Sequence, residues 1–112
     1  MKLPNICLKN DVKINGAHFY SEMTRIMDAL RITAPDLNDC TVWITSANDS
    51  KHMATSLHYK NRAFDVRIWN IAGNTKAEAA LWVTRLKATL GKDYDIILEP
   101  DHIHIEYDPK ED

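Results

Sequence analysis

Three of the chain's five histidines fall in two short segments that also hold several carboxylates. The first runs Ser56-Leu57-His58-Tyr59-Lys60-Asn61-Arg62-Ala63-Phe64-Asp65, and the second Glu99-Pro100-Asp101-His102-Ile103-His104-Ile105-Glu106-Tyr107. Side chains two apart on a strand share a face. A strand reading of the second segment therefore projects His102 and His104 together and turns Ile103 and Ile105 to the core. Asp65 sits on the polar side of a second alternating segment, opposite Phe64, Val66 and Ile68. Imidazole nitrogen and carboxylate oxygen suit zinc at about 2.0–2.2 Å, and catalytic zinc sites use three protein ligands and leave one position open. Zn2+ therefore suits this set of histidines and carboxylates as a cofactor, and the spacing alone leaves open which of them would hold it. Hydrolysis is the chemistry such a site serves, because zinc makes water acidic enough to attack near neutral pH.

Positioning these groups requires two ligand strands and a layer behind them. From His18 to about Thr33, Phe19, Met23, Ile26, Met27 and Leu30 recur at spacings of three and four, an apolar helical stripe ended by Pro35. Thr41 to Ser46 is β-branched and aromatic and reads as a strand, and Ala63 to Ile68 alternates as a second. Between them, Ala47 to Leu57 is polar and reads as a loop. Thr75 and Glu78 have the spacing of a capping box that opens a second helix. Ala79, Trp82, Val83, Leu86 and Leu90 form its buried stripe, and Gly91 its C-cap. Tyr94 to Leu98 and His102 to Tyr107 then form a hairpin around Glu99-Pro100-Asp101. The result is an α+β domain over 1–112, a small antiparallel sheet of about four strands with two helices on one face and the zinc site on the other. Residues 1–17 read as an irregular lead-in or a short strand, and 108–112 as a solvated tail.

The pattern Ser-x-His, six residues, Asp, and then His-x-His on a late strand resembles the zinc peptidases of the D-alanyl-D-alanine carboxypeptidase type. That group includes L-alanyl-D-glutamate endolysin peptidases and is related to lysostaphin-type endopeptidases and the hedgehog signalling domain. The resemblance spans roughly residues 18–109, with about twenty positions carrying its specific motifs. It implies His58 and Asp65 as the first two ligands and His104 as the third. His102 then stabilises the transition state or assists proton transfer, and Glu99 is the general base with Asp101 its rival. An alternative register, Glu-x-x-His over Glu99 to His102, makes His102 the ligand; Asp-His-x-His is the more complete match.

Two positions depart from the family. Asn61 stands where a glycine is usual three residues after the first ligand, and asparagine tolerates left-handed backbone better than most residues. The loop after the first strand usually carries an arginine for the substrate carboxylate, whereas Ala47 to His52 holds none. Lys51 and Arg62 are the replacements the sequence offers, with Ser56 beside the first ligand also assigned to substrate binding. His52 reads as a surface residue. Trp43 and Trp82 fall on apolar periodicity and read as core, leaving Trp69 as the candidate ligand contact.

Composition narrows the partners. The 112 residues fit one domain, and 45% hydrophobic with 27% charged is ordinary for a globular protein. A net charge of −2 supplies no basic field for nucleic acid, and no apolar run is long enough to span a membrane. No apolar h-region follows a basic start, so synthesis in the cytoplasm without a signal peptide is expected, with release to the wall by another factor. Cys7 and Cys40 read as packing thiols. The expected partner is a peptidoglycan peptide, bound by a monomer. A non-catalytic zinc-binding module on the same scaffold is the second reading. Two histidines and a carboxylate also match the iron facial triad, but those oxygenases need a larger β-barrel.

Overall fold

The computed structural model describes residues 3–10, 12, 21–46 and 63–108. Its elements are β1 (Asn5–Leu8), α1 (Ser21–Thr33), β2 (Thr41–Ser46), β3 (Ala63–Arg67), α2 (Thr75–Leu90), β4 (Tyr94–Leu98) and β5 (His102–Tyr107). This is the expected α+β class, with one strand more than expected. The sheet has five strands in the order β1-β2-β3-β5-β4, and it is mixed, because β1 runs parallel to β2 while the other pairings are antiparallel. Ile6 and Leu8 are the partly buried residues of β1 that pack against the core, a two-residue signal too short to separate a strand from an irregular segment.

One face of the sheet carries the core. Val42, Ile44, Phe64, Val66, Ile96, Ile103 and Ile105 are buried there with Met23, Ile26 and Leu30 of α1 and Trp82, Leu86 and Leu90 of α2. Trp82 is the largest of the fully buried side chains, and its indole Nε1–H donates to Thr33 Oγ1 at 3.1 Å. That bond satisfies a buried donor and ties α2 to the last turn of α1.

Local chemistry sets the bounds of α2. Asn74, rather than Thr75, is the N-cap: its side chain accepts from Ala77 N at 3.0 Å, and Thr75 is already helical. The expected capping box is therefore replaced by a single asparagine cap, since the residue three after Asn74 is Ala77, which has no carboxylate to return the bond. Gly91 closes the helix with φ of 88°, and its N–H donates to Lys87 O at 3.0 Å.

Trp43 corrects an expectation. It is half-buried on the open face of the sheet, since Val42 and Ile44 take the core positions of β2. Both cysteines are exposed and free rather than packed. Asp108, placed in the solvated tail, is half-buried and donates its N–H to Asp93 O at 2.7 Å. Among the described residues no helix is long and apolar enough to cross a membrane.

Candidate functional site

Strand alternation builds the open face. Ile103 and Ile105 of β5 are fully buried, so His102, His104 and Glu106 project from the other side. On β3, Phe64 and Val66 are buried and Ala63, Asp65 and Arg67 take the open face. The antiparallel register sets Asp65 opposite His104, Arg67 opposite His102 and Ala63 opposite Glu106. Side chains directly opposite each other lie within reach of contact.

Asp65 and His104 make that contact. His104 Nδ1 lies 2.8 Å from Asp65 Oδ1, and its Nε2 lies 2.8 Å from Glu106 Oε1. With a carboxylate on each ring nitrogen, the metal-free imidazole is a cation that donates on both sides. The Asp65 hydrogen bond is the main cause, and with help from Glu106 it outweighs desolvation and raises the His104 pKa to about 9.

His102 stands beside this pair, with Nε2 3.7 Å from Asp65 Oδ1. Its Nδ1–H donates to Asp101 Oδ1 at 2.6 Å, which leaves Nε2 as the nitrogen on the Asp65 side. The same bond lowers the Asp101 pKa below the usual carboxylate value. Glu99 sits at the hairpin end, its N–H donating to His102 O at 2.8 Å. Leu98 pairs with Ile103, so the register carried one residue further sets Glu99 opposite His102 on the open face.

A groove of about 290 Å³ opens along this face, lined by Lys9, Thr45, Ser46, Asp65, Arg67, Trp69, Asp101 and His102. Its size is near the lower end for small-ligand pockets.

The structure thus brings together Asp65, His102, His104 and Asp101, with Glu99 at the adjoining turn. His58, Ser56, Lys51 and Arg62 lie outside the described residues, as do His52 and Asn61. Residues 47–62 connect β2 to β3, and both flanking residues adjoin the site: Ser46 pairs with Asp65, and Ala63 precedes Asp65 by two.

Glu106 is a functional candidate that motif reasoning passed over. Its signal was present, since the alternation aligning His102 with His104 also aligns residue 106. Two donors of the types zinc accepts, the Asp65 carboxylate and the His104 imidazole, converge, and the far nitrogen of the ring is held by a second carboxylate, the usual outer partner of a ligating histidine. Among the described residues, Asp95, Glu106 and Asp108 are the one set of three potential ligand atoms within 4.8 Å of one another, whereas the open-face site brings Asp65 and His104 into direct contact as a pair. Carboxylates without imidazole are a poor match for zinc and a common surface feature.

No protein-family model, no curated protein and no solved structure matches this sequence.

Proposed function

We propose that the protein is a zinc-dependent peptidase that hydrolyses peptide bonds in peptidoglycan stems. The observation that carries this reading is the Asp65–His104 pair, with Glu106 on the far nitrogen of the ring. His58, the third ligand in this reading, belongs to the connection between Ser46, which pairs with Asp65, and Ala63, which precedes Asp65 by two on the same strand. The resemblance to D-alanyl-D-alanine carboxypeptidases and endolysin peptidases supplies the substrate class. An endolysin-type role, in which another factor releases the enzyme to the wall, fits the same chemistry.

Zinc bound there supplies Lewis acidity, polarising the substrate carbonyl and letting water attack near neutral pH. His104 turns Nδ1 to the site while Glu106 keeps a proton on Nε2. Asp101 holds His102 in the Nδ1–H tautomer and leaves the Nε2 lone pair on the Asp65 side, where it assists proton transfer at the reacting centre. The hydrogen bond that lowers the Asp101 pKa makes it a weak base. Glu99 is therefore assigned the proton transfer, from the attacking water to the leaving amine.

Incubating purified peptidoglycan with zinc-loaded protein tests the reading by the release of new amino groups. Wild type releases them, and Glu99→Gln slows release by about 100-fold or more. Zinc retained by a wild type that cleaves nothing would instead assign the non-catalytic module.

A further inference from the structure

Arg67 is the cation of the open face whose surroundings the mechanism leaves unexplained. Its guanidinium carbon lies 4.3 Å from the ring centroid of Trp69 and 5.1 Å from that of Trp43. Both distances are within the roughly 6 Å range of cation–π attraction. Trp43 is itself fixed. Its Nε1–H donates to Asp39 Oδ2 at 2.7 Å, and Asn70 Nδ2 donates to Asp39 Oδ1 at 2.9 Å. The clamp is thus anchored on one side by a hydrogen-bonded indole. On the other side stands Trp69, which is 67% exposed and lines the groove.

Among the described residues, no carboxylate neutralises the charge inside this clamp. Arg67 Nε is buried and makes no hydrogen bond. Aromatic faces hold the plane of an arginine but accept none of its in-plane N–H bonds, so the terminal N–H groups beyond the buried Nε remain as the fork for a planar anion. Arg67 lines the same groove as Asp65 and His102, with Lys9 as a second cation on its wall.

We infer that Arg67, clamped between Trp43 and Trp69, is the substrate-recognition residue that binds a carboxylate on the peptide next to the scissile bond. The inference rests on the peptidase reading for the meaning of "scissile bond". Asp65 and Arg67 are two apart on one strand, about 6.6 Å along it, which is close to the reach of one peptide residue. The carboxylate therefore belongs to a residue adjoining the bond, either as the C-terminus of the peptide or as the free carboxylate of an acidic residue. A β3 arginine also supplies what the loop after β2 lacks, and it competes for that role with Lys51 and Arg62.

Two matched pairs of probes test this by calorimetric binding to the zinc-loaded protein. N-acetyl-D-alanyl-D-alanine against its amide reads a C-terminal carboxylate. L-Alanyl-D-glutamate against L-alanyl-D-glutamine, both with blocked C-termini, reads an internal one. In wild type the acid of one pair binds about ten- to a hundredfold more tightly than its neutral partner, the span of a charge-assisted hydrogen bond to an ion. Arg67→Gln removes the preference at unchanged zinc content, and Arg67→Lys, which keeps the charge but loses the fork, restores it only in part. The inference fails if neither pair is discriminated. It fails equally if the preference survives in Arg67→Gln while the fold and zinc are intact, since the metal or another cation would then hold the carboxylate. Should Arg67→Gln not fold, Arg67→Lys decides, and a full wild-type preference in it overturns the assignment. Binding is read apart from turnover, so a preference lost in Arg67→Gln without any cleavage leaves the anion site standing and removes the peptidase.

Discussion

Glu106 accepts a hydrogen bond from His104 Nε2 at 2.8 Å, while Asp65 engages the other nitrogen of the same ring. Both contacts are written into β5 and β3. Residues 104 and 106 share the open face of one strand, and residue 65 lies opposite 104 on its neighbour. A carboxylate so placed fixes ring orientation and strengthens the ligating nitrogen. Glu106→Gln, which keeps the shape and removes the charge, is expected to weaken zinc binding by about 10- to 100-fold. Competition with a chromogenic chelator measures this, and an unchanged affinity would remove Glu106 from the site.

The two carboxylates also give the metal-free protein a defined pH dependence. The folded-state pKa of His104 is about 9, against an unfolded value near 6.5. Below about pH 6.5 both states hold the proton, and the stabilisation is fully present. Between the two values only the folded state holds it, so stability falls as pH rises and the contribution is gone above about 9. Full shielding would make the loss about 3 kcal/mol, and solvent screening of the half-buried ring reduces the expected value to roughly 2 kcal/mol, read from urea titrations of chelated protein at about pH 6 and pH 9.5. Zinc binding has the opposite sign, because His104 must give up its Nδ1 proton. Affinity is expected to rise about tenfold per pH unit below 9, and a flat profile would exclude His104 as a ligand.

His102 and His104 divide the work differently. His104 touches Asp65 directly, whereas His102 stands 3.7 Å away and is held by Asp101. His104→Ala is expected to lose zinc. His102→Ala is expected to keep it and lose about 100-fold in cleavage rate. The reverse outcome would assign the alternative register, with His102 as the ligand.

Behind the site, Ile103 is fully buried between the two histidines of β5 and opposes Val66 on β3. Truncation to alanine leaves a cavity under both ligand strands. Ile103→Ala is expected to cost about 2–5 kcal/mol, measured by urea denaturation of the metal-free protein. A cost under about 1 kcal/mol would show that β5 is not seated on this core.

Period-two alternation over Ala63–Arg67 and His102–Tyr107 is enough to place Asp65, His102 and His104 on one face, because burial on a single side fixes strand register. The helical stripes are legible for the same reason, down to Trp82 in the core. β1 is not, since four residues with two partly buried positions carry little periodic signal. Trp43 misleads because an aromatic in a β-rich run reads as core. Its true position depends on Asp39, Asn70 and Arg67, partners four to twenty-seven residues away that only the fold brings together. Glu106 is visible in the alternation but belongs to no motif. His58, Ser56, Lys51 and Arg62 lie outside the described residues, so for them the sequence remains the sole guide.

Zinc content is the most direct measure of the central claim. Protein purified without added metal, then equilibrated with zinc and desalted, is predicted to hold one zinc per molecule. His58→Ala, Asp65→Ala and His104→Ala are each predicted to lose it along with peptidoglycan cleavage, while keeping the wild-type circular dichroism. A wild type that holds no zinc would contradict the account. So would zinc that survives in all three variants, which would place the ion elsewhere, at Asp95, Glu106 and Asp108 or beyond the described residues.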